Sequence, residues 1–271
     1  MGRSGDCRFG IWQDLPCVAV SRCLAKSGWN FIVLDMQHGP MSFETAYECV
    51  HAAHREGAEC WMRVSVDAPS EVQRALDLGA DAVVVPMVNS LAMARSMANA
   101  AKYPPTGHRS LGGDCSLYRG GDYFERANDE TKLIVQVEHI DSVSVVEEMM
   151  ALEGVDGCFI GPTDLAISMN LSRHDYEQHP LHASVVERVL LACHQYGKLA
   201  CCNTYSAADF ESKLGMGFDC LTQQSEVSLL MEASRARTGA YRSAVRRENH
   251  VRDLPGPKYM ERIQSPEKRI S

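Results

Sequence analysis

The chain has 271 residues, a formal net charge of −8 at pH 7, 45% hydrophobic residues and 23% charged residues. This composition is typical of a soluble globular protein of one or two domains. The acidic balance disfavours nucleic acid as a partner, because nucleic-acid-binding proteins present basic surfaces. No run of about 20 apolar residues predicts a membrane span, and the start of the chain lacks a signal-peptide apolar region, so we expect a cytoplasmic protein.

The eleven cysteines do not predict a disulfide framework. Their number is odd, no two have C-x-x-C spacing, and most lie in apolar runs. Buried thiols in a reducing cytosol explain this pattern, because cysteine packs as a small apolar side chain. The adjacent residues Cys201 and Cys202 would point to opposite faces of a strand and would not join one site.

Eight short apolar runs recur along the chain, each followed by a segment with helical spacing. In chain order they are FGIW from Phe9, FIVLD from Phe31, CWMRV from Cys60, AVVVPM from Ala82, LIVQVE from Leu133, GCFIG from Gly157, KLACCN from Lys198 and FDCLT from Phe218. Runs that are apolar throughout favour strands covered on both faces, as in a parallel sheet. Their alternation with helices predicts a single-domain (β/α)8 TIM barrel over residues 1–240, with an open doubly wound sheet as the alternative.

The segments between the runs carry helix signals. SFETAYECVHAAHREG has apolar residues spaced three and four apart and ends on Gly57, while DSVSVVEEMMALEG predicts a helix from an N-cap at Asp141 to Gly154. Residues 103–123 are rich in Gly and Pro and predict a long loop. Residues 241–271 predict a basic C-terminal extension, either solvated or serving as an interaction arm.

Polar residues are concentrated where the predicted strands end. In a (β/α)8 barrel, functional residues lie at the C-terminal ends of the strands. The polar residues at or just beyond these ends are Asp35, Gln37, His38, Arg63, Gln136, Glu138, Asp164 and Asn203. Singly, each has an ordinary structural explanation, such as a helix cap for Asp164 or a salt bridge for Arg63. Together, at one end of one barrel, they predict an active site.

Gln136 and Glu138 lie two residues apart in LIVQVE and therefore on one face of a predicted strand. A buried carboxylate needs a cation, which is an arginine, a lysine or a metal ion. With Asp164 at the next strand end, two carboxylates and no thiolate favour Mg²⁺ or Mn²⁺. The H-E-x-x-H, GxxxxGK[ST] and GxGxxG motifs do not occur, so protease, NTPase and dinucleotide-binding functions lack support.

From about Gly10 to Ser234, the sequence resembles the HpcH/HpaI aldolases, which are class II pyruvate aldolases. The resemblance rests on motifs in the family's order: GIW from Gly10, DMQHGP from Asp35, the strand-end Arg63, and then LDLGADAVVVPMV, KYPPTGHRSLGG, VQVE and LEGVDGCFIGPTDL. It implies a carbon–carbon lyase that cleaves a 4-hydroxy-2-oxoacid to pyruvate and an aldehyde through a metal-stabilised enolate. The implied cofactor is Mg²⁺ or Mn²⁺, with Co²⁺ or Zn²⁺ as alternatives.

The resemblance implies two metal ligands, three catalytic residues and four substrate-binding residues. In that order they are Glu138 and Asp164; His38, Asp35 and Arg63; and Trp12, Gln136, Pro162 and Thr163. Arg63 would stabilise the developing enolate, because its guanidinium is always charged and presents a fixed fork of donors. His38, held by Asp35, would take the proton of the C4 hydroxyl, since imidazole titrates near neutral pH.

The sequence departs from better-known members at three places. Gln37 replaces an acid near the metal, Glu226 replaces a common Asp, and the glutamines of FDCLTQQSEV replace a usual Gly. Because of these changes, the sequence does not predict which aldehyde is released. The resemblance further implies a homo-oligomer, either a trimer or a hexamer, in which Arg109 and Arg119 would reach a neighbouring site, and a small-molecule 2-oxoacid as substrate.

Three other functions compete with aldol cleavage. One is an oxaloacetate decarboxylase or carbon–carbon bond-forming enzyme resembling macrophomate synthase, which shares the enolate. Another is a lyase acting on CoA esters, disfavoured because the sequence shows no basic groove for CoA. The last is a barrel that has lost its chemistry, which the intact Arg63, Glu138, Asp164 and His38 disfavour.

Overall fold

A computed structural model describes residues 7–113, 115–172 and 174–253 of the chain. Eight parallel strands close into a barrel in chain order, with the first strand paired to both the second and the eighth. The strands are β1 Arg8–Gln13, β2 Phe31–Asp35, β3 Glu59–Arg63, β4 Ala82–Val85, β5 Lys132–Val137, β6 Gly157–Ile160, β7 Leu199–Thr204 and β8 Cys220–Gln223. The predicted (β/α)8 barrel is confirmed, and the open-sheet alternative is wrong because the sheet has no free edge.

Helices follow the strands. They are α1 Val18–Lys26, α2 Phe43–Arg55, α3 Pro69–Asp77, α4 Leu91–Ala101, α5 Cys115–Arg119, α6 Tyr123–Glu130, α7 Ile140–Ser144, α8 Val146–Met150, α9 Pro162–Ser168, α10 Pro180–Gln195, α11 Ala207–Met216 and α12 Glu226–Asp253. The helix predicted from an N-cap at Asp141 begins two residues earlier, because its N-cap is His139, whose imidazole accepts from the Asp141 N–H. It is also divided at Val145 into α7 and α8.

The barrel interior is filled by side chains from alternate strand positions. They are Trp12, Phe31, Val33, Trp61, Ala82, Val84, Ile134, Phe159, Cys201 and Cys220. The rings of Phe31 and Trp61 stack with centroids 4.1 Å apart. Gly10 provides the room for Phe31, because a Cβ at this position would lie 2.4 Å from that ring. Since side chains alternate along a strand, the residue two positions beyond each core residue also points inward, toward the C-terminal mouth.

The segment predicted as a long loop over residues 103–123 is partly helical, because it contains α5 and the start of α6. Arg109 is buried and binds Asp77 at 2.7 Å, and Arg119 binds Asp81 at 2.8 Å. Both guanidinium groups are therefore engaged within the chain. The approach of this loop to a neighbouring site in the implied homo-oligomer stays a prediction.

The chain divides into two units, residues 1–227 and residues 228–271. The first contains the barrel strands. The second contains the rest of α12, on which Leu230, Tyr241 and Val245 are exposed. The predicted basic extension over 241–271 begins within this helix, and its residues 254–271 lie outside the described residues. Across the described part of the chain, no helix is both long and apolar enough to span a membrane.

Asp81 ties three elements together at the start of β4. Its carboxylate binds Nε2 of His54 at 2.7 Å, the backbone N–H of Cys60 at 2.7 Å and the guanidinium of Arg119 at 2.8 Å. Burial raises the pKa of Asp81. The hydrogen bond and charge of His54 and the charge of Arg119 lower it by a larger amount, so the pKa lies below its ordinary value. Such a group stabilises the fold above its unfolded pKa of about 3.9, and this stabilisation is lost as pH falls through the folded pKa.

We therefore expect Asp81→Asn to lower the free energy of unfolding at pH 7 by about 1 to 3 kcal/mol, because Arg119 loses its ionic partner and the Cys60 N–H and the His54 imidazole lose a hydrogen bond to a charged oxygen. The difference between wild type and variant should shrink below about pH 4, where the carboxylate becomes protonated. Urea unfolding between pH 3 and pH 7 measures both effects. Glu44→Gln is the control, because Glu44 is exposed and its bridge to Arg74 is 3.5 Å long. Equal losses from the two variants would contradict the assignment.

Candidate active site

One inward-facing layer of side chains lies at the C-terminal mouth, above the apolar core. Strand parity places in this layer Asp35 of β2, Arg63 of β3, Gln136 of β5, Gly161 after β6, Asn203 of β7 and Thr222 of β8. Each lies two residues beyond a core residue of its own strand. The structure therefore brings polar residues from five strands into one space, which is where (β/α)8 enzymes carry their active sites.

Arg63 and Asp35 form a two-pronged salt bridge in this layer. Nε of Arg63 lies 3.0 Å from Oδ1 of Asp35, and Nη2 lies 2.6 Å from Oδ2. The guanidinium also lies over the indole of Trp12, with its central carbon 4.4 Å from the ring centroid. Burial raises the pKa of Asp35, but the hydrogen bond and charge of Arg63 lower it below its ordinary value. The result is a planar cation held in one orientation at the mouth.

His38 lies exposed on the loop after β2, near this pair. Among the described residues, its imidazole makes no hydrogen bond with Asp35. Oδ1 of Asp35 accepts instead from the backbone N–H groups of Gln37 at 3.0 Å and His38 at 3.2 Å, in addition to Arg63. The predicted side-chain pair of Asp35 and His38 is thus not formed, because the carboxylate oxygens already bind Arg63 and the backbone. The role of His38 as a base stays a prediction.

Glu138 follows β5 and is only 3% exposed. Its Oε1 accepts a 2.7 Å hydrogen bond from the backbone N–H of Met87. Met87 has a φ of 53°, which is unfavourable for a non-glycine residue, so strained backbone aims this donor at the carboxylate. Burial raises the pKa of Glu138 to about 7; the Met87 N–H opposes the shift and the charge of Asp164 adds to it. The charge of Arg63 lowers this pKa, and a cation bound to the carboxylate would lower it further.

The donor set around Glu138 fits a hard divalent cation. Asp164 lies in the first turn of α9 and is exposed, and its charge acts on Glu138. Oε1 of Gln136 is buried and has no hydrogen-bond partner among the described residues. Two carboxylates and an amide oxygen, without sulfur, are the ligands that Mg²⁺ and Mn²⁺ prefer. In the described part of the chain, no three His, Cys, Asp or Glu side chains form such a group.

Because Gly161 has no side chain, the Glu138 carboxylate can occupy the space beside it. A Cβ at residue 161 would lie 2.7 Å from Oε2 and 2.8 Å from Cβ of Glu138. We expect Gly161→Ala to displace the carboxylate and to weaken Mn²⁺ binding about 10-fold or more, the effect of disturbing a ligand's surroundings. Calorimetric titration with Mn²⁺ measures this. Gly215→Ala is the control, because a Cβ there would have no atom within 4 Å. Unchanged Mn²⁺ affinity in Gly161→Ala would contradict the placement.

Pro162 and Thr163 form the first turn of α9 beside this group. The hydroxyl of Thr163 lies 3.0 Å from the hydroxyls of both Tyr176 and Tyr205. Nε2 of His182 lies 3.0 Å from the carbonyl oxygen of Pro162. These contacts fix the first turn of α9 to Tyr176, Tyr205 and His182. The sequence reasoning missed Tyr176, Tyr205 and His182, since no motif links them to Thr163.

A second missed contact lies on the other side of the mouth. The indole N–H of Trp12 donates to Oδ1 of Asn203 at 2.7 Å and to the hydroxyl of Thr222 at 3.0 Å. The Thr222 hydroxyl in turn donates to Oδ1 of Asn203 at 2.5 Å. Asn203 stood out in the sequence only as a strand-end residue, and Trp12 only as a pocket wall. The structure joins them across the β7–β8–β1 side of the barrel.

Comparisons with known proteins agree with this geometry. The sequence pattern of the HpcH/HpaI aldolase/citrate lyase family matches residues 8–216. The chain is 32% identical over 225 residues to a hydroxypyruvate/pyruvate aldolase of Rhizorhabdus wittichii, covering 83% of this chain and 90% of that protein. It is 26% identical over 245 residues to a 2-keto-3-deoxy-L-rhamnonate aldolase of Salmonella gallinarum, covering 89% and 91%. A crystal structure of an HpcH/HpaI aldolase/citrate lyase family protein from Burkholderia cenocepacia superposes with a TM-score of 0.79 at 29% identity, covering 89% and 96%.

The barrel, its mouth and these matches place the chain among the carbon–carbon lyases. It belongs to the HpcH/HpaI aldolase/citrate lyase family, as its motifs predicted.

Proposed function

We propose that the protein is a divalent-metal-dependent aldolase that cleaves a 4-hydroxy-2-oxoacid to pyruvate and an aldehyde. The observation that carries the proposal is Glu138, a buried carboxylate that forms no salt bridge with any described residue. Such a group is costly unless a cation binds it. The hydroxypyruvate/pyruvate aldolase of Rhizorhabdus wittichii named above, which is 32% identical to this chain, supports a substrate of the same 2-oxoacid class.

A cation bound at Glu138 and Asp164, when present, supplies Lewis-acid stabilisation of the negative charge that forms as the C3–C4 bond breaks. Arg63 contributes a second positive charge from the protein itself. Its Nε and Nη2 are bound to Asp35, while Nη1 makes no hydrogen bond with any residue the structure describes. The two N–H groups of Nη1 are therefore available as donors for the substrate oxygen on which the enolate charge develops.

Loops around the mouth bind the substrate carboxylate and accept the proton of the C4 hydroxyl. The first turn of α9, held by Tyr176, Tyr205 and His182, offers the backbone of Pro162 and Thr163 to the substrate carboxylate. His38 accepts the proton of the C4 hydroxyl, because it is an exposed imidazole on the loop that also carries Asp35. In this arrangement Asp35 orients Arg63, and the imidazole of His38 stays free to move toward the substrate.

Deuterium exchange at the pyruvate methyl group tests the proposal. The purified protein is incubated with pyruvate in D₂O with Mg²⁺, with Mn²⁺ or with a chelator, and the methyl signal is followed by NMR. We expect loss of the signal only when metal is present. Exchange that persists in chelator would overturn the metal dependence. Absence of exchange with either metal, in a folded protein that decarboxylates oxaloacetate, would overturn the aldolase in favour of the decarboxylase.

A further inference from the structure

The two carboxylates of the candidate metal site are held in different ways. Glu138 is buried, and its Oε1 accepts a hydrogen bond from the Met87 N–H at 2.7 Å. Asp164 is exposed, and its carboxylate makes no hydrogen bond or salt bridge with any residue that the structure describes. The position of this carboxylate therefore depends on the backbone of the first turn of α9, on which Asp164 lies. Contacts that fix this turn also fix where Asp164 lies relative to Glu138.

Two tyrosine hydroxyls contact the first turn of α9 through the residue that precedes Asp164. Oγ1 of Thr163 lies 3.0 Å from the hydroxyl of Tyr176 and 3.0 Å from that of Tyr205. The two tyrosines come from different parts of the chain, because Tyr176 begins the 3₁₀ helix Tyr176–Gln178 and Tyr205 directly follows β7. The Thr163 hydroxyl therefore joins the turn both to the segment after α9 and to the end of a barrel strand.

Both tyrosines are themselves held in place. Tyr176 is buried, and its ring centroid lies 4.8 Å from that of the His182 imidazole. His182 is buried too, and its Nε2 donates to the carbonyl oxygen of Pro162 at 3.0 Å, so one imidazole contacts both Tyr176 and the turn. The backbone N–H of Tyr205 donates to Oδ2 of Asp209 at 2.9 Å. The hydroxyls that meet the turn are thus presented by side chains whose positions are fixed by packing and hydrogen bonds.

We propose that Tyr176 and Tyr205 are positioning residues, which hold Asp164 beside Glu138 for binding a divalent cation. They act through the Thr163 hydroxyl and the backbone of the turn, and they contact neither the cation nor the substrate. Without them, the exposed Asp164 would have to be ordered when the cation binds, which lowers affinity. The proposal rests on the metal-dependent function proposed above and identifies the residues that prepare its metal site.

Removing the two hydroxyls tests the proposal. Tyr176→Phe, Tyr205→Phe and the double variant keep the rings and remove only the oxygens. Calorimetric titration measures Mn²⁺ affinity, and cleavage kinetics are recorded as a function of Mn²⁺ concentration. Tyr196→Phe is the matched control, because Tyr196 is an exposed residue at the C-cap of α10 and its hydroxyl makes no hydrogen bond within the described part of the chain.

The expected result is a loss of metal affinity more than of maximal rate. The double variant should bind Mn²⁺ about 10-fold or more weakly than wild type, the effect of removing groups that orient a metal ligand. Each single variant should show a smaller loss, and kcat at saturating Mn²⁺ should stay close to that of wild type. Tyr196→Phe should bind Mn²⁺ as wild type does, and thermal unfolding in chelator should show that every variant is folded.

A double-mutant cycle identifies the path of the effect. Thr163→Val removes the hydroxyl that both tyrosines contact, so Tyr205→Phe should lower Mn²⁺ affinity much less in this background than in wild type. An equal loss in both backgrounds would overturn the proposal, because the effect would not pass through Thr163. Wild-type Mn²⁺ affinity in the folded double tyrosine variant would also overturn it and leave the metal-dependent function standing. Absence of Mn²⁺ binding by the wild type would overturn the metal dependence and this inference with it.

Discussion

Glu138→Gln is expected to lower kcat for pyruvate exchange and for aldol cleavage by about 1000-fold or more, with the barrel still folded. In the function proposed above, the substitution removes a charged metal ligand, and with it the several kcal/mol that a bound cation would contribute to stabilising the enolate charge. The amide oxygen can still accept from the Met87 N–H, so the strained turn of β4 keeps its partner. In the presence of chelator, the free energy of unfolding of Glu138→Gln should not be lower than that of wild type. The reason is that burial disfavours the charged form of Glu138, so a neutral amide is at least as stable there.

Two measurements make this prediction specific to the metal. Mn²⁺ titration should show loss of binding in Glu138→Gln, and circular dichroism should show an unchanged fold. Glu147→Gln is the matched control, because Glu147 lies on α8, away from the barrel mouth, and its carboxylate binds the exposed Arg188. Its kinetics should equal those of wild type. Full activity of Glu138→Gln in Mn²⁺ would rule out Glu138 as a ligand.

Arg63→Lys is expected to lower kcat/KM by about 100-fold or more while leaving Mn²⁺ affinity unchanged. A lysine keeps the charge but loses the planar fork, so it cannot bind both oxygens of Asp35 and still direct a donor at the substrate. It also loses the flat contact of the guanidinium with Trp12. The measurements are steady-state cleavage kinetics and metal titration on the same preparation.

Arg74→Lys provides the comparison for Arg63. Arg74 likewise lies over an aromatic ring, that of Phe43, and binds a carboxylate, that of Glu44, but at the exposed surface of α3. The same substitution there should leave kcat/KM within about 2-fold, since surface pairs contribute little. If Arg63→Lys behaved like Arg74→Lys, charge alone would account for the role of Arg63, and the oriented fork would be unnecessary.

The sequence by itself determined the barrel and the end of it that carries the polar residues. Each strand is a short run of apolar residues, since both faces of a parallel barrel strand are covered, and this pattern is local. The placement of Gln136 and Glu138 on one strand face was likewise predictable, because it depends only on the two-residue period of a strand. The family motifs added the expected roles of these residues.

Only the tertiary structure decided which side chains bind one another. Asp35 and Arg63 are 28 residues apart and meet because β2 and β3 align them in register, so Asp35 binds Arg63 and not the imidazole of His38. Trp12 and Asn203 are 191 residues apart and meet because closure of the barrel brings β1 beside β8, which is itself paired with β7. Contacts of this kind depend on register and closure, which no local spacing records, and they set the orientation of the Arg63 guanidinium and of the Trp12 indole.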